Sequence, residues 1–384
     1  MMRWMALCVC VFATGCAEPE TSAAGSTDEA GQETEQTDDQ SADTGSDETT
    51  GDSTGDTSDG TDTSGGNDET TPTDGDSGST DSGTTTEPEP EPVPDTLRFV
   101  VLGDAGEGNQ NQYDVADAMQ EVCALHGGCE FALYLGDNFY DDGIDETLCI
   151  DDPQFQEKFE LPYANLEFPF YVVVGNHDYG TLPIALNKTN CEVLYHEISD
   201  KWHMPARYYA VEHDNALFMG LDTNALMVDQ FILGDVDPDA QADWFDQQVS
   251  ESDALWKFAF GHHPYLSNGS HGNAGNYEGL SWLPIVNGEN IEDFVDESVC
   301  GKIDIYFSGH DHTRQWLEPS CGTEFVVSGA AAKTTELSWR DDNATFFDDD
   351  RAPGFLYIEI DDNLLIGRFY DKDGTMDFER TVVK

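Results

Sequence analysis

The chain has 384 residues, with 78 acidic side chains against 16 basic ones and a formal net charge of −62. Both parts of it carry the excess: 24 acidic residues lie between Glu18 and Asp95, and 54 stand against 15 basic residues from Leu97 onward. A surface so acidic repels nucleic acid backbones, which excludes a nucleic acid partner.

At the N-terminus, Arg3 precedes an apolar run from Trp4 to Phe12 and then Ala13-Thr14-Gly15-Cys16. One positive charge, a short apolar segment and small residues before a cysteine make a secretory signal, too short to span a bilayer as a mature helix. Residues 1–15 resemble a bacterial lipoprotein signal. The resemblance implies acyl chains on Cys16 and an extracytoplasmic protein whose membrane contact is that anchor. Ala13 stands where leucine is usual, and simple cleavage with full secretion is the alternative. Residues 16–96 are almost wholly Asp, Glu, Ser, Thr, Gly, Pro, Gln and Ala, without an aromatic residue, Lys or Arg. They bury too little apolar surface to offset the entropy of ordering a backbone, and read as a disordered acidic stalk.

From Leu97 to Lys384 the pattern is that of one folded domain. Strands are expected at Leu97–Leu102, Phe131–Leu135, Phe170–Val174, Arg207–Val211, Ala216–Leu221, Trp256–Phe260 and Ile303–Phe307, then at Glu324–Ser328, Phe355–Ile360 and Leu364–Tyr370. Five of them are near-continuous apolar runs, as in strands buried on both faces. Helical spacing marks Gln112–His126, Glu192–Trp202, Asp239–Ser250 and Ile291–Val299. The fold class is therefore α/β of a mixed kind: two mixed sheets face to face with helices outside. Six cysteines in this part suit an oxidising compartment. Closeness in sequence pairs Cys123 with Cys129 and Cys300 with Cys321, leaving Cys149 with Cys191. None has the spacing of a zinc site.

Each of the five buried runs ends in glycine and a metal-competent residue. In order they are Gly103-Asp104, Gly136-Asp137 with Tyr140 three residues on, Gly175-Asn176-His177-Asp178, Gly261-His262-His263 and Gly309-His310-Asp311-His312. Ligands gather at the carboxyl ends of strands in α/β sheets, so these residues should converge.

Their order resembles the calcineurin-like metallophosphoesterases. Asp104-Ala105-Gly106 lacks the histidine of the Asp-x-His motif, and Tyr140 fills that vacancy, which resembles the small, tartrate-resistant acid phosphatase-like branch of the purple acid phosphatases. The likeness covers roughly Arg98 to Ala330, including Phe155–Phe159, Trp202–Tyr209 and Val327–Ala330. It implies a four-layer αββα sandwich. It also implies a ferric ion on Asp104, Asp137, Tyr140 and His312, with Asp137 bridging to a divalent ion, Fe(II), Zn(II) or Mn(II), held also by Asn176, His262 and His310. Hard carboxylate and phenolate oxygens suit Fe(III), and imidazole and amide suit the divalent ion. The activity implied is hydrolysis of a phosphate monoester by a metal-held hydroxide, with His177 and His271 orienting phosphate or protonating the leaving oxygen. His263, which could touch substrate, and Asp222 read as structural, Tyr179 stands where the family often has a third outer-sphere histidine, and Asp311 reads as a supporting or surface group. The Asp-rich stretches Asp141–Gly143 and Phe347–Asp350 would repel highly anionic substrates. A phosphodiesterase or nucleotidase on the same scaffold is the enzymatic alternative, and a non-catalytic surface-displayed binding protein the other. Oligomeric state is not readable from the sequence.

Overall fold

The computed structural model describes residues 96–180, 186–227, 237–283, 286–338 and 343–384. The signal expected over 1–15 and the stalk expected over 16–96, apart from Thr96, lie outside the described residues. From Leu97 the chain runs β1 (Leu97–Leu102), α1 (Gln110–Leu125), β2 (Phe131–Tyr134), β3 (Phe170–Val172), α2 (Asn176–Tyr179) and α3 (Leu186–Tyr195). It continues through β4 (Trp202–His203), β5 (Tyr209–His213), β6 (Ala216–Gly220), α4 (Thr223–Met227), α5 (Pro238–Glu251), β7 (Trp256–Phe260) and α6 (Glu289–Phe294). The last strands are β8 (Ile305–Ser308), β9 (Arg314–Leu317), β10 (Glu324–Ser328), β11 (Thr345–Asp349), β12 (Gly354–Asp361), β13 (Leu364–Asp371) and β14 (Met376–Val383).

These strands form two seven-stranded mixed sheets, β14-β13-β12-β1-β2-β3-β4 and β11-β9-β10-β8-β7-β6-β5. β1 to β4 are parallel neighbours, as are β6, β7, β8 and β10. The crossovers between parallel strands need helices, and these cover the outer faces. Val115, Met119 and Val122 of α1 pack on the first sheet, while Phe245 of α5 and Ile291 and Phe294 of α6 pack against Leu217, Met219 and Tyr306 of the second. Aromatic rings fill the space between the sheets. Phe99 stacks on Phe131 at 4.9 Å and meets Phe218 and Phe307 edge-on at 5.2 and 6.4 Å, so rings from both sheets interlock. The architecture is the four-layer mixed α/β sandwich expected.

The departures have local causes. The helix expected over Glu192–Trp202 lies earlier and ends at Tyr195. Trp202 pairs with Phe170 as part of β4, and its indole N–H donates to the Glu192 carbonyl at 2.9 Å. The stretch Ile291–Val299 is one turn of α6 followed by a wider five-residue turn, Val295–Val299. β4, β9, β11 and β14 are not expected from the sequence, because each is short or sits at a sheet margin where alternation is weak. Phe347–Asp350 is not a substrate-facing loop: through Asp349 it is β11, and Asp349 is buried against Arg314 at 2.8 Å.

Disulfides join Cys123 to Cys129 and Cys300 to Cys321, the two pairs that closeness in sequence favours, and Cys149 to Cys191, the pair then left over. Such bonds persist in oxidising compartments, which points to a protein outside the reducing cytoplasm. No helix among the described residues is long and apolar enough to cross a membrane.

Candidate metal centre

All five glycine-punctuated strand ends meet at one edge of the sandwich. Asp104, Asp137 and His310 hold left-handed backbone angles, with φ of 58°, 53° and 70°. That conformation is costly for residues with a Cβ and persists where the surroundings over-determine it. Two glycines make room for the carboxylates: a Cβ on Gly175 would lie 2.2 Å from Asp137 Oδ1, and one on Gly309 would lie 2.5 Å from Asp104 Oδ2.

One half of the site gathers oxygen. The Tyr140 hydroxyl lies 2.9 Å from both Asp104 Oδ1 and Asp137 Oδ2 and 3.2 Å from His312 Nε2. The other half gathers imidazole and amide. His262 Nε2 is 3.0 Å from Asn176 Oδ1, 3.1 Å from His310 Nδ1 and 3.4 Å from Asp137 Oδ1. The Asp137 carboxylate thus faces both halves. The seven residues singled out as ligands come together, although they are drawn from five loops of two sheets.

The donor chemistry fits cations. His262 Nδ1 lies 2.9 Å from the Leu135 carbonyl, the partner to which it donates, and Nε2 is the atom turned into the centre. There Nε2 meets an amide oxygen and a carboxylate, a set of groups that suits a cation. In the oxygen-rich half, a single phenol proton serves two buried carboxylates. Burial, followed by the charges of Asp104 and Asp137, raises the Tyr140 hydroxyl well above its ordinary value, so it becomes a phenolate only beside a strongly positive ion. Burial also works against the charge of Asp137, but His262, His177 and the His177 N–H outweigh it and hold the carboxyl below the usual range.

His177 and His271 flank this centre. The His177 N–H donates to Asp137 Oδ1 at 2.9 Å, and its ring lies 4.5 Å from that of Tyr140. The His271 ring packs on His310 at 4.1 Å, and its Nδ1 bonds Glu278. Burial lowers this imidazole, but the Glu278 hydrogen bond and the charges of Asp311, Glu278 and Asp104 push it up to about 9. His263 is buried, bonded to the Thr223 hydroxyl at 2.8 Å with its ring 4.6 Å from that of His310, and Tyr179 is buried and donates to Asp222 at 2.5 Å. Asp311 is fully buried, so it is a supporting group and not a surface one. It accepts the Ser267 hydroxyl and the N–H groups of His271 at 2.8 Å and Gly272 at 3.3 Å.

Several contributors escape a reading by motif. Lys333 lies over the Tyr140 ring at 3.3 Å and pairs with Glu107 at 2.6 Å, and Lys158 donates to the Tyr140 carbonyl. Their scarcity in so acidic a domain is the signal that sequence offers. Asp142, read as repelling anions, pairs with Lys188 at 3.3 Å. Behind the centre, Asp178 accepts the N–H groups of Asn138, Phe139 and Gly175 at 2.8, 3.0 and 2.7 Å, tying two motif loops together.

Glu192 lies in the same buried region, accepting the Asn138 amide at 3.1 Å. Burial, then the charge of Asp178, raises it well above its ordinary value of 4.5. The native chain therefore keeps this proton where the unfolded chain has lost it. Its contribution to stability is complete below about pH 4.5 and is lost as pH rises towards the native value. Glu192→Gln is expected to leave urea stability unchanged near pH 4.5 and to raise it at pH 8. The gain should be about 1.4 kcal/mol for each pH unit over which the native carboxyl stays protonated and the unfolded one does not. Parallel pH profiles of the two proteins would contradict this assignment.

Residues 97–314 match the calcineurin-like phosphoesterase family model. The chain is 30% identical over 309 residues to purple acid phosphatase 4 of Arabidopsis thaliana, covering 74% of this chain and 83% of that protein. It is 29% identical to tartrate-resistant acid phosphatase type 5 of Sus scrofa, over 65% of this chain and 73% of that one. The purple acid phosphatase from yellow lupin (Lupinus luteus) seeds superposes with a TM-score of 0.55 at 16% identity, over 75% of this chain and 54% of that one, which shows a common fold. The chain therefore belongs to the calcineurin-like phosphoesterases, on their purple acid phosphatase branch, and is a metal-dependent phosphoesterase.

Proposed function

We propose that this protein is a binuclear acid phosphatase of phosphate monoesters, acting outside the cytoplasm. Asp104, Asp137, Tyr140 and His312 would hold a ferric ion, and Asp137, Asn176, His262 and His310 a divalent one. The observation that carries the reading is the placing of Asp137, with one oxygen 2.9 Å from the Tyr140 hydroxyl and the other 3.4 Å from His262 Nε2. Bound there, the two ions would supply polarisation of the phosphoryl group and a water of near-neutral pKa.

The chain's own groups do the rest. The left-handed backbones of Asp104, Asp137 and His310 and the close-packed glycines fix the donors before substrate arrives, so little reorganisation is needed at the moment of reaction. His177 and His271 stand on either side of the donor set and supply hydrogen bonds to phosphate and to the leaving oxygen. Pairing of Asp142 with Lys188 leaves the His177 side less repulsive to a phosphate dianion than its sequence suggests.

The test is turnover of para-nitrophenyl phosphate between about pH 4 and 8, with iron and a divalent ion supplied, together with metal analysis and a visible spectrum. Metal-dependent turnover by a coloured, iron-containing protein is expected. No turnover at any pH in that range would overturn the reading, and turnover confined to diesters would replace it with a phosphodiesterase. Attachment to a membrane through acylated Cys16 completes the proposal, and the mass of the mature N-terminus decides between that and free secretion.

A further inference from the structure

Lys333 belongs to none of the five glycine-punctuated motifs, yet its ammonium stands 3.3 Å over the centre of the Tyr140 ring. The segment that carries it is tied to the loops of the centre by contacts of its own. The Ala331 N–H donates to the Gly103 carbonyl at 3.2 Å, the Asn109 and Asn111 amides donate to the Ala332 carbonyl at 3.1 and 3.2 Å, and the Thr335 N–H donates to the His312 carbonyl at 3.0 Å. Glu107, from the loop after Asp104, takes the same ammonium at 2.6 Å. The Lys333 side chain is 30% exposed, so an ion pair with Glu107 alone would leave the ammonium free to swing into water. At 3.3 Å it lies instead well inside the roughly 6 Å reach of a cation–π contact. The Tyr140 backbone is fixed separately, by its N–H on the Gly106 carbonyl at 3.0 Å and by Lys158 on its carbonyl. What Lys333 adds is a hold on the face of the ring.

We propose that Lys333 is a positioning residue for Tyr140: its cation–π contact holds the ring at the angle that turns the hydroxyl to Asp104 and Asp137, and its charge lowers the energy of the ring's electrons. The inference rests on the proposed reading of Tyr140 as a ligand of a ferric ion, and deepens it. The colour expected of such a centre comes from ring electrons promoted to the iron. An ammonium over the ring stabilises those electrons where they start, and does so more strongly than at any ion bound farther off at the hydroxyl, so light of shorter wavelength is needed to move them. A contact of this kind is worth about one-fiftieth of the energy of a visible photon, which moves such a band by about 10 nm. Lys333 therefore leaves a mark on the spectrum that a lysine serving only to hold the loop does not.

The experiment uses the full chain loaded with iron and a divalent ion, and compares wild type, Lys333→Met, Lys333→Gln and Lys333→Arg at a single pH. The visible spectrum, iron content and turnover of para-nitrophenyl phosphate are recorded for each. Lys333→Met is expected to move the band maximum to longer wavelength by about 10 nm or more, and Lys333→Gln, also uncharged, to move it the same way. Turnover per bound iron should fall by about 10-fold in both, the loss typical of groups that orient a metal ligand. Lys333→Arg keeps a cation that stacks on aromatic faces, and should keep the wild-type band and most of the activity. A band unmoved in the uncharged variants, or moved as far in Lys333→Arg as in Lys333→Met, would overturn the inference while leaving the phosphatase reading intact. A wild type that holds iron but shows no visible band would overturn the assignment of Tyr140 to the ferric ion, and the inference with it.

Discussion

Asp137→Asn is expected to lower kcat/KM on para-nitrophenyl phosphate by about 10³-fold or more, a larger loss than any single change elsewhere in the chain. The carboxylate is buried, and its two oxygens do different work. Oδ2 shares the Tyr140 proton with Asp104, and Oδ1 takes the His177 N–H at 2.9 Å while facing His262 Nε2 at 3.4 Å. An amide keeps the shape but offers one oxygen and places an NH₂ group where a second acceptor stood. The two halves of the centre then lose the one group that faces both. Activity is one readout, and the stability gained on adding metal is the other. The stabilisation against urea that iron and a divalent ion give the wild type should disappear in the variant. A variant that still gains stability from metal and keeps more than about a tenth of its activity would remove Asp137 from the centre.

The parts of this centre that sequence makes legible are those written in a few adjacent residues at the end of a buried strand. Gly136-Asp137 with Tyr140, or Gly309-His310-Asp311-His312, need only a strand and a sharp exit to be placed, and the apolar runs before them mark both. What stays illegible depends on pairs far apart in the chain. Asp311 carries no mark that distinguishes it from a surface acid; its role comes from a loop 40 residues earlier folding onto it. Glu278 and Lys333 meet His271 and Tyr140 only through loop geometry, and Trp202 has the spacing of a helix although its backbone pairs with Phe170. The Asp-rich run after Phe347 misleads for the same reason, because charge alone does not tell a solvated loop from a strand whose aspartate meets a buried arginine.

That arginine carries the largest expected loss of stability. Arg314 is fully buried at the start of β9, two residues beyond His312, and its guanidinium lies 2.8 Å from both Asp349 of β11 and Asp377 of β14. It therefore links an edge of one sheet to an edge of the other. Asp349 is almost without solvent contact, whereas Asp377 is partly exposed, so the two acids differ in what they lose if the cation goes. Asp377 can turn to water, but Asp349 keeps only the exposed Arg351. Arg314→Met fills much of the volume while leaving that buried charge poorly compensated, and is expected to cost about 3–5 kcal/mol in urea unfolding. Arg314→Met combined with Asp349→Asn removes the stranded charge and should recover most of the loss, because the penalty comes from the unpaired carboxylate more than from the missing attraction. If the double variant is as unstable as the single one, the arginine stabilises the sheets by its packing against Phe347 and not by its charge. If the single variant costs less than about 1 kcal/mol, the pair behaves as an exposed one and does not join the sheets.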